Sequence, residues 1–200
     1  MIKKINAIVT GGSSGLGEAT VRKILERGGS VSIFDTQEDK AKVLSEEFGE
    51  TCTFFYTDVT NEESINEALT SAISKYQYIN LLVNCAGIGI ANKVIGKEEL
   101  HDSNIFQKVI NVNLVGTFNV LKLVAEKMIE NQPDEDNFRG VIINTASIAA
   151  YDGQIGQVAY SASKGGIVSL TLPLAREFAR YGVRVCTIAP GLFETPMMSG

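Results

Sequence analysis

The chain has 200 residues, of which 44% are hydrophobic and 20% charged, and its formal net charge is −5. This length and composition fit one soluble globular domain, residues 1–200. The acidic balance and the lack of Lys/Arg runs argue against a dedicated nucleic-acid or anionic-membrane surface. No stretch approaches the ~20 apolar residues of a membrane span, and from the residues before the first apolar run we expect no cleavable signal peptide.

The three cysteines are widely spaced. Cys52, Cys85 and Cys186 form no C-x-x-C motif, and their number is odd. They therefore favour buried, reduced thiols in a cytosolic-type compartment over disulfides. We expect a cytoplasmic location and no metal site.

A glycine-rich turn follows the first predicted strand. The apolar run 5–9 leads into Thr10-Gly11-Gly12-Ser13-Ser14-Gly15-Leu16-Gly17, and a helical pattern comes next. Glycines permit positive φ, and a helix N-terminus offers unpaired N–H groups, so this context suits a phosphate-binding loop. The spacing is G-x-x-x-G-x-G rather than G-x-G-x-x-G. Taken alone, it is equally compatible with a tight turn.

Asp35 ends the second predicted strand, 31–35. It lies eighteen residues after Gly17 (35 − 17), close to the ~20 expected of a carboxylate that binds the adenosine ribose hydroxyls. A carboxylate there repels a 2′-phosphate, which predicts NAD rather than NADP. The alternative is a cap for the helix predicted over 36–48.

The third and fourth predicted strands, 52–56 and 80–83, also end in polar or small residues. Asp58 either binds the adenine amino group or caps the helix predicted over 62–75. Asn84-Cys85-Ala86-Gly87 either permits close approach of a cofactor or forms a tight turn.

A loop over 88–104 is too long for a simple connector. A long amphipathic helix is predicted over 105–130, with Asn113 inside it. Asparagine is a mediocre helix former, and most mid-helix asparagines are solvated. On these grounds alone Asn113 is not a candidate.

The strongest chemical signal is Tyr160-x-x-x-Lys164, with Ser147 upstream and just after the predicted strand 141–144. In a helix predicted over 160–181, residues i and i+4 share one face. A neighbouring ammonium favours the phenolate and so moves the tyrosine pKa towards the working range. Ser147 can hold a substrate oxygen.

Alternating strands and helices predict an α/β doubly wound, Rossmann-type parallel sheet of order 3-2-1-4-5-6. Its ligand crevice lies at the carboxyl ends of the strands. The glycine loop, residues 84–87, Ser147 and residues 190–195, which follow the sixth predicted strand, all converge there.

The same motifs, in this order, resemble those of the short-chain dehydrogenase/reductase family: residues 10–17, 84–87, Ser147, Tyr160-x-x-x-Lys164 and Pro190-Gly191. The resemblance implies that Tyr160 is the acid/base, Lys164 its pKa-lowering partner and a ribose ligand, and Ser147 the substrate-oxygen anchor. It also implies that Asn113 holds a water in the proton relay.

The resemblance and the motif positions together predict the binding residues. Substrate contacts are Ser147, Gln154 and Tyr160. Cofactor contacts are Gly11, Ser13, Ser14, Gly15, Leu16, Gly17, Asp35, Asp58, Val59, Asn84, Ala86, Gly87, Tyr160, Lys164, Pro190, Gly191, Phe193 and Thr195.

Four longer stretches, 111–120, 139–147, 153–168 and 187–196, are similar to a subgroup of this family that oxidises 3-hydroxyacyl-CoA and also hydroxysteroids. That similarity implies an NAD-dependent lipid-metabolising enzyme, a homotetramer and a mitochondrial setting as an alternative location. The rival interpretations are a 3-oxoacyl-carrier-protein reductase and a non-catalytic NAD-binding scaffold subunit.

Members of the family continue past the T-P of 195–196 with a substrate-covering segment and a seventh strand. From the sequence as it stands we expect an incomplete substrate wall and an exposed edge at 183–188. The chain made alone is expected to bind NAD, turn over poorly and self-associate.

Overall fold

The computed structural model describes residues 4–97 and 99–196. Within them lie strands β1 (Asn6–Thr10), β2 (Ser30–Asp35), β3 (Cys52–Tyr56), β4 (Leu81–Asn84), β5 (Gly140–Thr145) and β6 (Val183–Ile188). They form one parallel sheet of order β3-β2-β1-β4-β5-β6. The predicted doubly wound α/β architecture is confirmed.

The α-helices of the described residues are α1 (Gly15–Glu26), α2 (Glu38–Phe48), α3 (Glu62–Tyr76), α4 (Ser103–Ile110), α5 (Gly116–Ile129) and α6 (Val158–Ala179). The helix predicted over 105–130 is interrupted, because Asn111–Val115 forms a π-helical turn between α4 and α5. Helix α6 begins two residues earlier than predicted. Short 3₁₀ turns cover Gly49–Thr51 and Ile148–Ala150.

The sheet separates two apolar cores, since successive strand residues point to opposite faces. Ile8, Leu82 and Ile142 pack with α3, α5 and the end of α6 on one face. Ala7, Val9 and residues of β2 pack with α1 and α2 on the other. The fully buried strands explain why their sequences read as apolar runs rather than as alternating patterns.

The segment Ser103–Ile129 is long and apolar enough, by length and composition alone, to cross a membrane, with a mean hydropathy of 1.2. This differs from the sequence-based expectation that no stretch approaches a span. Half of its most apolar window is buried inside the protein, where α5 packs against α3 and β5. A core helix gives the same signal.

One face of β6 is open among the described residues. Val183 and Val185 are buried, whereas Arg184, Cys186 and Ile188 alternate with them and are exposed. Ile188 is 57% exposed. The expectation that all three cysteines are buried is therefore wrong for Cys186; Cys52 is buried and Cys85 half-buried.

The carboxyl ends of the strands are tied together by backbone hydrogen bonds. The Gly11 N–H donates to Phe34 O over 2.9 Å, and the Cys85 N–H donates to Thr10 O over 3.1 Å. On the other side, the Ile148 N–H donates to Pro190 O over 2.8 Å. The loops that follow β1, β4, β5 and β6 thus share one edge of the sheet.

Candidate active site

The loop between β1 and α1 depends on glycine at specific positions. Gly11 and Gly15 have φ of +62° and +54°, a region that residues with a side chain rarely adopt. A Cβ on Gly11 would lie 2.8 Å from Ala86 Cα, and one on Gly17 would lie 2.0 Å from Gly11 O. The backbone turns this tightly because no side chain occupies the space.

The start of α1 is open to a ligand. Ser14 is its N-cap, but the Ser14 side chain makes no capping hydrogen bond. The first-turn N–H groups of a helix have no partner within the helix, and they attract anions. Gly15, Leu16 and Gly17 of this turn line a cavity. The residues present therefore fit the diphosphate of a dinucleotide. A tight turn by itself would not need free N–H groups that face a cavity.

Asp35 is almost buried at the end of β2. Its Oδ2 accepts hydrogen bonds from both the N–H and the hydroxyl of Ser13, and its Oδ1 accepts one from the N–H of Gln37 over 3.0 Å. The carboxylate thus fixes the glycine loop and also the residue before α2. It lines the cavity as well. The N-cap of α2 is Gln37, and no side chain makes a capping hydrogen bond there, so the capping alternative is wrong for Asp35.

Asp58 does not cap α3. Its Oδ1 accepts from the N–H and hydroxyl of Thr60, at 2.9 and 2.7 Å. Asn61 caps the helix instead, accepting from the N–H groups of Glu63 and Ser64. The capping alternative is therefore wrong, because the residue nearest the helix start supplies the oxygen. Asp58 remains on the cavity wall.

The turn after β4 is held by the side chain of Thr10 at the end of β1. The N–H groups of Cys85 and Ala86 each donate to Thr10 Oγ1 over 3.1 Å. A Cβ on Gly87 would lie 3.2 Å from Asn113 Oδ1 and 3.8 Å from Lys164 Nζ. The small residues of this turn therefore bring backbone up to both polar side chains.

Tyr160 and Lys164 occupy the first two turns of α6. The Lys164 side chain is 5% exposed, and its Nζ donates to Thr145 O over 2.7 Å. The same Nζ lies 5.7 Å from the centre of the Tyr160 ring. Burial lowers the pKa of Lys164 from 10.5 to about 8, since it disfavours the charged ammonium.

Ser147 lies two residues past the end of β5. Its Oγ accepts a hydrogen bond from the Ala149 N–H over 3.1 Å and caps the short turn 148–150. Because that bond uses an oxygen lone pair, the hydroxyl hydrogen can still be donated to a ligand. Ser147, Tyr160 and Lys164 all line the cavity.

Asn113 is fully buried, so the inference that it is solvated, drawn from its position in a helix, is wrong. It lies in the π-helical turn. Its Oδ1 accepts from the Ile88 N–H over 2.8 Å, and its Nδ2 donates to Ile88 O and Ser163 Oγ, both over 3.0 Å. Single π-turns inside α-helices occur frequently at functional sites.

The cavity has a volume of about 1060 Å³. The predicted site residues on its wall are Gly11, Ser14, Gly15, Leu16, Gly17, Asp35, Asp58, Val59, Ala86, Gly87, Ser147, Gln154, Tyr160, Lys164, Pro190, Gly191, Phe193 and Thr195. Three others lie behind the wall: Ser13, Asn84 and Asn113. The Asn84 amide is buried within the sheet, where it donates to Asn144 Oδ1 over 3.0 Å.

Sequence reasoning missed two groups that hold the site together. The Thr145 carbonyl, which accepts a hydrogen bond from Lys164, is a backbone group, and every residue has one. The residue type therefore gives no signal of this role. The Ser163 hydroxyl contacts Asn113 across fifty positions. Among residues 4–97 and 99–196 no cluster of three His, Cys, Asp or Glu side chains is placed to hold a metal ion.

Comparisons with known proteins agree with this geometry. A sequence model of the short chain dehydrogenase family matches residues 5–200. The 3-hydroxyacyl-CoA dehydrogenase type-2 of Bos taurus is 49% identical over 200 residues, which are 99% of this chain and 77% of that protein. The Homo sapiens protein of the same name is 48% identical with the same coverage.

Solved structures give the same result. The 3-hydroxyacyl-CoA dehydrogenase type-2 from Mycobacterium avium superposes with a TM-score of 0.94 at 40% identity, covering 100% of this chain and 80% of that one. A 3-ketoacyl-(acyl-carrier-protein) reductase from Brucella melitensis, complexed with NADH, has a TM-score of 0.90, 29% identity and the same coverage. The chain belongs to the short-chain dehydrogenase family.

Proposed function

We propose that this protein oxidises the hydroxyl group of a 3-hydroxyacyl-CoA ester, with NAD as the hydride acceptor. The observation that carries the proposal is the placement of Ser147, Tyr160 and Lys164 in the lining of one cavity. This placement occurs in a chain that is 48–49% identical to proteins named 3-hydroxyacyl-CoA dehydrogenase type-2.

The cofactor half of the cavity fits a nicotinamide dinucleotide. The amides at the start of α1 would hold the diphosphate, and Asp35 would accept hydrogen bonds from the adenosine ribose. When bound, the nicotinamide ring supplies the hydride acceptor, and the protein supplies positioning and proton transfer. The carboxylate of Asp35 favours NAD over NADP, because a 2′-phosphate would meet a like charge.

The chain's own residues perform the proton chemistry. Tyr160 Oη takes the proton of the substrate hydroxyl while Ser147 Oγ donates a hydrogen bond to the same oxygen. Lys164 stands beside the Tyr160 ring, and its position is fixed by the hydrogen bond to Thr145 O. A charged ammonium at this place stabilises the phenolate, which is the form that accepts a proton.

The rim of the cavity suits an apolar substrate. Ile148, Leu192 and Phe193 line it and are exposed. Burial of such side chains against an acyl chain or a steroid ring is favourable by roughly 25 cal/mol per Å² of apolar surface. Hydroxysteroids are therefore a second substrate class for the same proton chemistry.

A 3-oxoacyl-carrier-protein reductase is the second candidate function. The similarity to the Brucella melitensis reductase supports it, and the NADH in that complex means that cofactor choice alone does not separate the two. The lower identity of that protein, 29% against 48–49%, favours the CoA ester.

The open face of β6 supports an assembly of several copies of the chain. The exposed side chains of Cys186 and Ile188 lie on β6, which is the outermost strand of the sheet among the described residues, and unpaired outer strands associate with other chains. A homo-oligomer fits this surface. Size-exclusion chromatography with light scattering measures it, and a monodisperse monomer would contradict it.

A substrate panel and one substitution test the proposed function. Turnover is measured with NAD and NADP on 3-hydroxyacyl-CoA, 3-hydroxyacyl-carrier-protein and steroid alcohols. Tyr160→Phe should lower kcat by about 10²–10⁴-fold, because the proton acceptor is lost, and leave NAD affinity nearly unchanged. A Tyr160→Phe variant that keeps most of its turnover would refute the mechanism, and a wild type without turnover would favour the scaffold interpretation.

A further inference from the structure

Ser13 lies behind the part of the cavity wall that Asp35 forms. The Asp35 side chain lines the cavity and is 6% exposed. Ser13 is 2% exposed, and its hydrogen-bond partner on the cavity side is the Asp35 carboxylate. Ser13 can therefore influence a ligand in the cavity through the orientation that it gives to Asp35.

Among the described residues, three donors approach the Asp35 carboxylate, and two of them belong to Ser13. The N–H and the hydroxyl of Ser13 both donate to Oδ2 of Asp35, the N–H over 3.0 Å. The hydroxyl must be the donor, because an ionised carboxylate only accepts hydrogen bonds. The third donor is the Gln37 N–H, which binds Oδ1 over 3.0 Å.

These contacts leave the carboxylate of Asp35 with little free acceptor capacity. A carboxylate has about four lone-pair sites, two on each oxygen. Ser13 occupies both sites of Oδ2, and the Gln37 N–H occupies one site of Oδ1. One site (4 − 3) therefore remains for a ligand in the cavity, and it lies on Oδ1.

The glycine loop is held against β2 independently of the Ser13 side chain. The Gly11 N–H donates to Phe34 O over 2.9 Å. A Cβ on Gly12 would lie 3.2 Å from Ile33 Cγ2, so the backbone of the loop packs directly on β2. Removal of the Ser13 hydroxyl should therefore release the carboxylate and leave the loop in place.

We infer that Ser13 is a positioning residue for cofactor recognition: it holds Asp35 so that Oδ1 alone accepts a hydrogen bond, from one hydroxyl of the adenosine ribose. The inference rests on the proposed use of NAD and deepens it. The ribose carries two neighbouring hydroxyls, and a carboxylate with free sites on both oxygens can bind both. Because Ser13 saturates Oδ2, Asp35 binds a single hydroxyl.

Three cofactors that differ in one hydroxyl test this arrangement. They are NAD and the two analogues in which 2′-deoxyadenosine or 3′-deoxyadenosine replaces adenosine, and calorimetry measures Kd for each without any substrate. With the wild type, one analogue should bind at least about tenfold more weakly than NAD, as expected for a lost hydrogen bond to a charged group. The other analogue should bind within about twofold of NAD, because it loses no bond to Asp35.

Ser13→Ala tests the role of the hydroxyl. Without it the carboxylate can rotate about its Cβ–Cγ bond, and Oδ1 is no longer held towards the ribose. Kd for NAD should rise about threefold to tenfold, whereas Kd for the sensitive analogue should not change, because that analogue lacks the hydroxyl concerned. A merely structural role would raise both Kd values by the same factor. Ser71→Ala removes an exposed hydroxyl of α3 and should change neither value.

Two results would overturn the inference. Equal Kd values for the two analogues with the wild type would exclude the single-hydroxyl contact, and this result needs no variant to fold. The same ratio of Kd values for NAD and the sensitive analogue in Ser13→Ala and in the wild type would exclude the positioning role. If the wild type does not bind NAD, the proposed cofactor fails and the inference with it. Binding of NAD together with either of the first two results removes the inference alone.

Discussion

Asn113 Nδ2 donates a hydrogen bond to Ser163 Oγ over 3.0 Å, and both side chains are fully buried. The Ser163 hydroxyl in turn donates to Tyr160 O over 2.7 Å. The buried amide is thus tied to the turn of α6 that carries Tyr160 and Lys164. The serine is a positioning residue that joins the π-helical turn to the proton-transferring side chains.

Ser163→Ala should therefore disturb catalysis without touching the cofactor. It leaves one N–H of Asn113 without its acceptor, which costs about 1–3 kcal/mol of stability. We expect kcat to fall roughly tenfold, the equivalent of about 1.4 kcal/mol, with Kd for NAD unchanged. Ser161→Ala is the matched control, because the Ser161 hydroxyl has no hydrogen-bond partner among residues 4–97 and 99–196. Equal kcat values for the two variants would contradict the positioning role.

Asp35→Asn should affect both selectivity and stability. An asparagine has one acceptor oxygen, whereas donors approach both carboxylate oxygens of Asp35, from Ser13 and from Gln37. One N–H must then face the new NH₂ group, which costs about 1–3 kcal/mol of stability. Without the like-charge repulsion, the preference for NAD over NADP should fall by at least about tenfold.

The measurements for Asp35 are calorimetric Kd values for both cofactors and a thermal unfolding curve. Asp39→Asn removes an equal charge at an exposed position of α2 and should change neither. If the Asp35→Asn protein retains the full cofactor preference, the carboxylate does not set it.

Lys164 should make the stability of the fold depend on pH. Its pKa is about 8 in the folded protein and 10.5 as the ordinary value. Between these values the unfolded chain holds more protons on this lysine, so the free energy of unfolding rises with pH. The free-energy cost of burying the charged Lys164 ammonium is fully present below pH 8 and disappears above pH 10.5. It amounts to about 3 kcal/mol.

Lys164→Met removes this titration. The free energy of unfolding of Lys164→Met relative to the wild type should be highest near neutral pH and decline as pH approaches 10.5. Chemical denaturation at several pH values measures the difference, and Lys108→Met at an exposed position serves as the control. If the difference in the free energy of unfolding between Lys164→Met and the wild type does not change with pH, Lys164 is not buried as a charged ammonium.

The cysteines should react with a thiol reagent in a fixed order. Cys186 is exposed, whereas burial raises the pKa of Cys85 and raises that of Cys52 to about 11. Since the thiolate is the nucleophile, Cys186 should react first, Cys85 more slowly and Cys52 only on unfolding. NAD should protect Cys85, which lines the cavity.

Mass spectrometry of the labelled peptides measures the order, and Cys186→Ser should abolish the fast phase alone. Labelling of Cys52 in the folded protein would contradict the predicted order of reaction. A Cys85 rate that is insensitive to NAD would show that the cavity is not the dinucleotide site.

Local patterns in the sequence were enough to predict the sheet and most of the cavity wall. The apolar runs, the glycines at 11, 15 and 17, and the i, i+4 pair Tyr160 and Lys164 each act within a few residues, and chain connectivity then sets the strand order. Asp35 was predictable for the same reason, since it ends a strand at the expected distance from the loop.

The elements, their order and the residue types at the carboxyl edge of the sheet could therefore be predicted from local sequence patterns. The contacts that hold these residues in place could not. Asn113 forms hydrogen bonds with Ile88 and Ser163, which are 25 and 50 positions away in the sequence. Lys164 donates to a backbone carbonyl 19 positions away. Asn61, and not Asp58, caps the start of α3. Such contacts depend on packing between separate elements, which no local pattern records.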